Sequence, residues 1–251
     1  MASTTTAPAV TDGTVTVRLL GEQRDIALLT LDRPRKLNAL STHMEAALLD
    51  ALRSSDVTEC RAVVVTGTER AFSAGADTGE LRDMTPQAIA AYYRGSGAVY
   101  EEFAALPQPT VAAISGYCMG GGLELALAAD FRIAAPGAVF ALPEVGLGIL
   151  PGSGGIARLV REVGPARTRD LVLRGRRFDA QEAYAWGLLT EVAEGPGAVT
   201  ERALALAAEL TAHTPLTLAL AKQVVDAAAD APKETALLLE HLAYAALNRT
   251  G

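Results

Sequence analysis

The sequence predicts an α/β protein that ends in a purely helical region, and three observations carry that prediction. Short runs of β-forming residues alternate with glycine-bearing loops and amphipathic stretches through the first two thirds of the chain, the layered pattern of an α/β core. From residue 155 onward, alanine and leucine dominate and recur at helical spacing. Neither an internal repeat nor a low-complexity linker divides the 251 residues, a length that buries one large core. The expected organisation is a flexible tail at 1–13, an α/β core at 14–195 and a helical region at 196–251.

Residues 15–20 and 26–31 are dense in β-formers, and the turn-like 21–25 between them suggests a hairpin. A helix is expected after Asn38. There Thr42 and Glu45 have capping-box spacing, and Met44, Leu48, Leu49 and Leu52 form one apolar stripe. Residues 61–66 (RAVVVT) and 110–115 (TVAAIS) are nearly all apolar, as strands buried on both faces are. Between them, 72–77 (FSAGAD) is a glycine-bearing loop. Residues 86–106 then place Ile89, Tyr92, Val99, Phe103 and Leu106 at helical spacing, with Gly95 and Gly97 weakening the middle. Pro107 and Pro109 stop that helix. Residues 116–122 lead into a helix at 123–129, and 131–134 and 139–142 are further short strands. Gly175 and the Asp179/Glu182 capping pair punctuate the helical part, which closes with helices near 200–212, 216–229 and 234–247.

Composition narrows the function. Half the residues are hydrophobic and 20% charged, with a mean hydropathy of +0.22, as in a globular protein. The net charge of -7 is the wrong sign for a generic nucleic-acid binder, and no polybasic patch or apolar run of spanning length suggests a membrane. The first residues carry no basic n-region or apolar h-region, so the cytoplasm is the expected compartment. Cys60 and Cys118 form no CxxC pair and suit reduced core thiols. His43, His213 and His241 are far apart, so no metal site is expected.

The most informative segment is 115–126 (SGYCMGGGLELA). Three glycines end a strand and open a helix, where close backbone approach and unpaired amides favour an anion or a developing oxyanion. A tight turn needing small residues explains the same glycines. Glu124 falls in the first turn of that helix, within reach of whatever the amides hold, and can act as general base or acid. It could equally be a charge complementing the helix terminus. Glu144, the only acid between residues 136 and 160, stands among Phe140, Leu142, Val145, Leu147 and Leu150. Burial there would raise its pKa and suit it to donate a proton; a strand-end glutamate in solvent is the plainer alternative. Gly152, Gly154 and Ala157 fit GxGxxA, but no strand leads into them, so a helix N-terminus packed near Glu144 is expected rather than a dinucleotide site. No serine sits in GxSxG. Arg33, Arg35 and Lys36 are either a solvated turn or a phosphate grip.

Four segments in one order, RPRKLNAL, AFSAGADTGEL, GYCMGGGLELALAADFRIA and FALPEVGLGILPGSGGIARL, together resemble the enoyl-CoA hydratase/isomerase (crotonase) superfamily over nearly the whole chain. The resemblance implies an α/β spiral of ββα turns with a helical C-terminal trimerisation region, assembled as a homotrimer or dimer of trimers. It implies an oxyanion hole from the amides of Ala76 and Gly121, Glu124 acting on water at Cβ, Glu144 acting on the Cα proton, and Gly152 supporting that network. Arg35, Lys36 and the Ala74 carbonyl would approach coenzyme A. Leu81, Met84, Met119 and Leu142 would wall the acyl pocket. Coenzyme A is then part of the substrate, and no further cofactor is implied.

The expected reaction is reversible hydration of a 2-enoyl-CoA. Double-bond isomerisation or a carnityl-CoA dehydratase-like reaction is the alternative within the family, and a non-catalytic acyl-CoA- or RNA-binding relative is the alternative outside catalysis.

Overall fold

The computed structural model describes residues 13–81 and 84–248; residues 1–12, where the tail is expected, lie outside them. β1 (Thr14–Leu20) and β2 (Ile26–Asp32) form the expected antiparallel hairpin. β3 (Ala62–Thr66), β5 (Thr110–Ile114), β7 (Phe131–Ala134) and β10 (Glu191–Val192) extend it in parallel, in the order β1-β2-β3-β5-β7-β10. A smaller sheet has the order β4-β6-β8-β9. It contains β4 (Ala71–Ser73), β6 (Tyr117–Met119), β8 (Val139–Ala141) and the antiparallel β9 (Phe178–Asp179).

Three times the chain runs from the large sheet to the small sheet and then into helix. β3 and β4 lead to α3 (Thr78–Leu81) and α4 (Pro86–Arg94); β5 and β6 lead to α6 (Gly121–Leu127); β7 and β8 lead to α7 (Gly155–Arg174). This is the ββα spiral that the motifs implied. The consequence for function is direct. Strands β4, β6 and β8 lie side by side, so the loops leaving them, 74–76, 120–121 and 142–144, emerge together at one end of the small sheet.

Strands β3 and β5 are buried on both faces, as their apolar runs suggested. Ile26, Leu28, Ala62, Val64, Val111, Ala113 and Ile133 meet Val199, Ala203 and Ala207 of α9 (Val199–Thr211). The alternate residues Leu29, Leu31, Val63, Val65, Ala112 and Ile114 enter a larger core. That core also contains Phe72, Phe103 and Phe140, and Met44, Leu48 and Leu52 of α1 (Thr42–Arg53). Cys60 and Cys118 are free and buried.

Two local expectations need correction. The cap of α1 is Ser41, whose hydroxyl accepts the Met44 amide at 3.2 Å. Glu45 is therefore not the capping-box acid; its side chain turns into the protein. The helix expected over 86–106 breaks into α4, a 3-10 turn at Ser96–Ala98 and α5 (Val99–Ala104). Gly95 sits at the break with φ -100° and ψ -121°, a conformation outside the helical region. α7 is kinked where Gly164 takes φ 77° ahead of Pro165. α2 (Ser55–Thr58) and α8 (Ala180–Ala185) are short, and α8 carries the Asp179/Glu182 capping box read from sequence.

The last helices, α10 (Pro215–Asp230) and α11 (Lys233–Leu247), bury no residue. Between α10 and the core lies a cavity of about 640 Å³, bordered by Leu127, Asp130, Arg161, Leu218, Lys222 and Val225, and lined by neither Glu124 nor Glu144. Among the described residues no single helix is long and apolar enough to cross a membrane, and no cluster of His, Cys, Asp and Glu could hold a metal ion.

Candidate active site

The loop after β4 presents one amide with no partner among the described residues. The Ala74, Gly75 and Asp77 amides donate to the Leu37 carbonyl, the Ser73 hydroxyl and the Leu40 carbonyl at 2.9, 3.1 and 2.9 Å. The Ala76 amide is left over. Across from it, Gly121 is the first residue of α6, where amides have no intrahelical partner. A side-chain carbon on Gly121 would stand 3.4 Å from the Ala76 nitrogen and 3.0 Å from the Tyr100 hydroxyl. The two amides therefore border one small space that any larger residue at 121 would fill. Gly75 (φ 97°) and Gly120 (φ 50°) supply the left-handed turns that bring the loops this close. Two amides converging on one point can stabilise a carbonyl oxygen as it gains negative charge.

Glu124 is 4% exposed, on the same short helix as Gly121. Its Oε1 accepts the Ser153 amide at 2.7 Å and the Gly155 amide at 2.9 Å. Burial raises its pKa against the lowering effect of those two amides and the nearby Arg158 guanidinium. Arg158 also donates to the Ser153 carbonyl at 2.8 Å and pairs with Glu101 at 2.6 Å, which fixes the loop that holds Glu124. The loop at 152–155 thus packs against Glu124.

Glu144 is 8% exposed and opens a 3-10 turn directly after β8. Its Oε1 stands 2.8 Å from where a side chain on Gly120 would begin, and its Oε2 is buried with no hydrogen-bond partner among the described residues. Desolvation pushes its pKa to about 7, and the charge of Glu124 adds to the rise. Glu144 therefore feels the charge of Glu124, and the two carboxyls differ in kind. One is clamped by amides; the other has one oxygen without a partner among the described residues and holds its proton up to neutral pH.

The remaining expected residues divide. Arg35 and Lys36 are exposed on the 3-10 turn Pro34–Lys36. The Ala74 amide is bonded to Leu37, one residue beyond, so the three expected coenzyme contacts are adjacent. Arg33 of the same basic cluster turns inward: it is 7% exposed and pairs with Asp77 at 2.9 Å. Met119 borders the glycine turn, its carbonyl 2.8 Å from where a side chain on Gly75 would begin, and Met84 is partly buried just before α4. Leu81 ends α3, and its side chain lies outside the described residues. Leu142, the first residue after β8, is fully buried and belongs to the main core. The amides that reach Glu124 come from Ser153 and Gly155, while Gly152 lies against the Tyr93 hydroxyl. Sequence reasoning missed Ser153, Gly155, Arg158, Tyr93 and Tyr100, whose roles depend on contacts between distant segments.

With this geometry in place, the comparisons are consistent over nearly the whole chain. The enoyl-CoA hydratase/isomerase family profile matches residues 21–249, and the chain belongs to that family. It is 38% identical over 232 residues to a Mycobacterium bovis protein named "Probable enoyl-CoA hydratase echA8", covering 90% of this chain and 89% of that one. A solved enoyl-CoA hydratase subunit from Geobacillus kaustophilus HTA426 superposes with a TM-score of 0.85 at 34% identity, over 94% of this chain and 90% of that one. A Thermobifida fusca YX protein solved in complex with CoA superposes with a TM-score of 0.86 at 26% identity, over 94% and 93% of the two chains.

Proposed function

We propose that this protein catalyses the reversible hydration of a 2-enoyl-CoA thioester to a 3-hydroxyacyl-CoA, in fatty acid or related acyl-CoA metabolism. The observation that carries the proposal is the unlike pair of buried carboxylates beside two converging amides. An isomerase needs only one proton shuttle, whereas hydration needs a base at Cβ and an acid at Cα together.

In the hydration direction the thioester oxygen lies between the Ala76 and Gly121 amides. Ionised Glu124 takes a proton from water as the water oxygen bonds to Cβ. The double-bond electrons move toward the carbonyl, and the enolate formed is stabilised by the two amides, each worth about 100- to 1,000-fold in rate. Protonated Glu144 gives its proton to Cα. The product holds the added water, and the carboxyls reset by proton exchange with solvent. Coenzyme A is held by the exposed Arg35 and Lys36 and by the Ala74 carbonyl, and it supplies no chemistry beyond the thioester. The working form is a homotrimer or dimer of trimers in the cytoplasm.

The deciding experiment follows loss of enone absorbance with crotonyl-, longer enoyl- and aryl-enoyl-CoA. Turnover of one of them that disappears in Glu124→Gln and Glu144→Gln supports hydration. If Glu124→Ala still moves a 3,4 double bond into conjugation, the protein is an isomerase. No turnover on any substrate removes the proposal.

A further inference from the structure

A third buried carboxylate stands behind this site, and the hydration mechanism does not use it. Glu45 continues the apolar stripe of α1, three, four and seven residues before Leu48, Leu49 and Leu52, yet it is only 1% exposed. An apolar side chain would occupy that position without the desolvation cost of a carboxylate. Its oxygens are instead fully engaged. Oε1 accepts the Tyr92 hydroxyl at 2.7 Å and the Tyr100 hydroxyl at 2.8 Å, and Oε2 accepts the Ser96 hydroxyl at 3.4 Å. These donors come from α4, the 3-10 turn after it and α5, the three pieces of the broken helix. One carboxylate thus ties those pieces to α1.

The Tyr100 hydroxyl is also a wall of the oxyanion space. It stands 3.0 Å from where a side chain on Gly121 would begin, the same point that lies 3.4 Å from the Ala76 nitrogen. Its proton is committed to Glu45, so its place beside Gly121 is set by the carboxylate behind it. Tyr92 packs edge-on against Tyr93, ring centroids 4.9 Å apart, and the Tyr93 hydroxyl touches Gly152 in the loop that clamps Glu124.

We propose that Glu45 is a positioning residue for the reaction: through Tyr100 it fixes the spacing of the Ala76 and Gly121 amides, and through Tyr92 and Tyr93 it steadies the Glu124 loop. This rests on the oxyanion role given to Ala76 and Gly121. A carboxylate with three directional partners holds a geometry that an apolar contact would leave loose, and small misplacements of reacting groups are costly to rate.

The test combines two measurements on the full chain with Glu45→Gln and Tyr100→Phe. Tyr100→Phe removes one oxygen and keeps the ring, so it decides the matter if Glu45→Gln fails to fold. The first measurement is the infrared carbonyl stretch of bound butyryl-CoA, which cannot be hydrated and reports the amide pair directly. The second is kcat and KM with crotonyl-CoA. The proposal expects the downshift of the bound carbonyl to shrink in both variants, with kcat falling about 10- to 100-fold and KM little changed. An undiminished downshift and kcat in folded Tyr100→Phe overturns it. A wild-type protein that downshifts butyryl-CoA without hydrating crotonyl-CoA removes the hydratase proposal and leaves this one to the infrared result. A wild type with no downshift removes the oxyanion hole and this proposal together.

Discussion

The Gly155 amide donates to Glu124 at 2.9 Å, and a side-chain carbon on Gly155 would lie 2.8 Å from the Glu124 Cγ. Glycine is needed here for space: the residue is the first of α7. Gly155→Ala should therefore lower the melting temperature, because the added carbon overpacks a buried contact, and turnover should fall about 100-fold as Glu124 is displaced from its two amides. Thermal melts and crotonyl-CoA kinetics on one preparation check both halves. Unchanged turnover would show that Glu124 does not depend on this clamp.

Removing the Glu124 carboxylate itself is more severe. Glu124→Gln keeps the shape and an acceptor oxygen for the Ser153 and Gly155 amides, but it cannot take a proton from water. The expected loss of kcat is about 100- to 10,000-fold with KM for the thioester little altered. A large rise in KM at constant kcat would reassign Glu124 to binding.

The raised pKa of Glu144 gives a pH signature with a definite sign. Burial lifts it from the usual 4.5 to about 7, so the folded protein binds a proton that the unfolded chain releases between those values. Its share of stability is full below pH 4.5 and is lost as the pH rises toward 7, on the order of 3 kcal/mol in all. Glu144→Gln removes that loss and should raise the melting temperature at pH 8 but not at pH 4. Hydration kcat/KM should fall above about pH 7, where Glu144 gives up the proton it donates to Cα. A hydration rate still rising from pH 7 to 9 would exclude Glu144 as the acid.

Much of this was legible in the sequence, for a physical reason. The buried parallel strands are written in single apolar runs such as AVVVT, and the glycine turn and both glutamates are local features beside them. What escaped notice depends on packing between distant segments. The Ser41 hydroxyl and the Thr42/Glu45 pair offer the same capping chemistry one residue apart, and only the outcome for Glu45, pulled inward by Tyr92 and Tyr100, decides between them. Leu142 carries no mark in sequence of its full burial, and Glu124 none of the distant Ser153 and Gly155 amides that reach it. The two-residue strands β9 and β10 are too short to show a period.

Arg33 and Arg35, two residues apart, should behave as different kinds of residue. Arg33 is buried in its pair with Asp77, whose carboxyl that guanidinium holds below the usual range, so Arg33→Ala should destabilise the fold by about 2–3 kcal/mol. Asp77 keeps part of its solvent, which holds the cost below that of a sealed pair. Arg35→Ala and Lys36→Ala should change stability by less than about 0.5 kcal/mol while raising KM for the CoA thioester, most at low ionic strength. Denaturation midpoints and salt-dependent KM values separate the two outcomes.

The last helices are where a single copy of the chain is least complete. α10 and α11 bury no residue, and Leu216, Val225, Leu237, Leu238, Leu242 and Tyr244 are all more than 40% exposed. The pair is tied to the core by polar contacts, Lys222 with Asp130 at 3.0 Å and Arg161 with Asp230 at 2.6 Å, while the cavity of about 640 Å³ beneath α10 stays open. Apolar area of this kind is usually covered by a partner, and the proposed trimer would cover it with a second copy. Light scattering should then give three or six times 26.1 kDa. Leu238→Asp with Leu242→Asp should shift that mass toward one copy and lower the melting temperature, because the charged helix can no longer be packed against a neighbour. A wild-type mass of 26.1 kDa at micromolar concentration would instead mean that α10 and α11 remain open in solution.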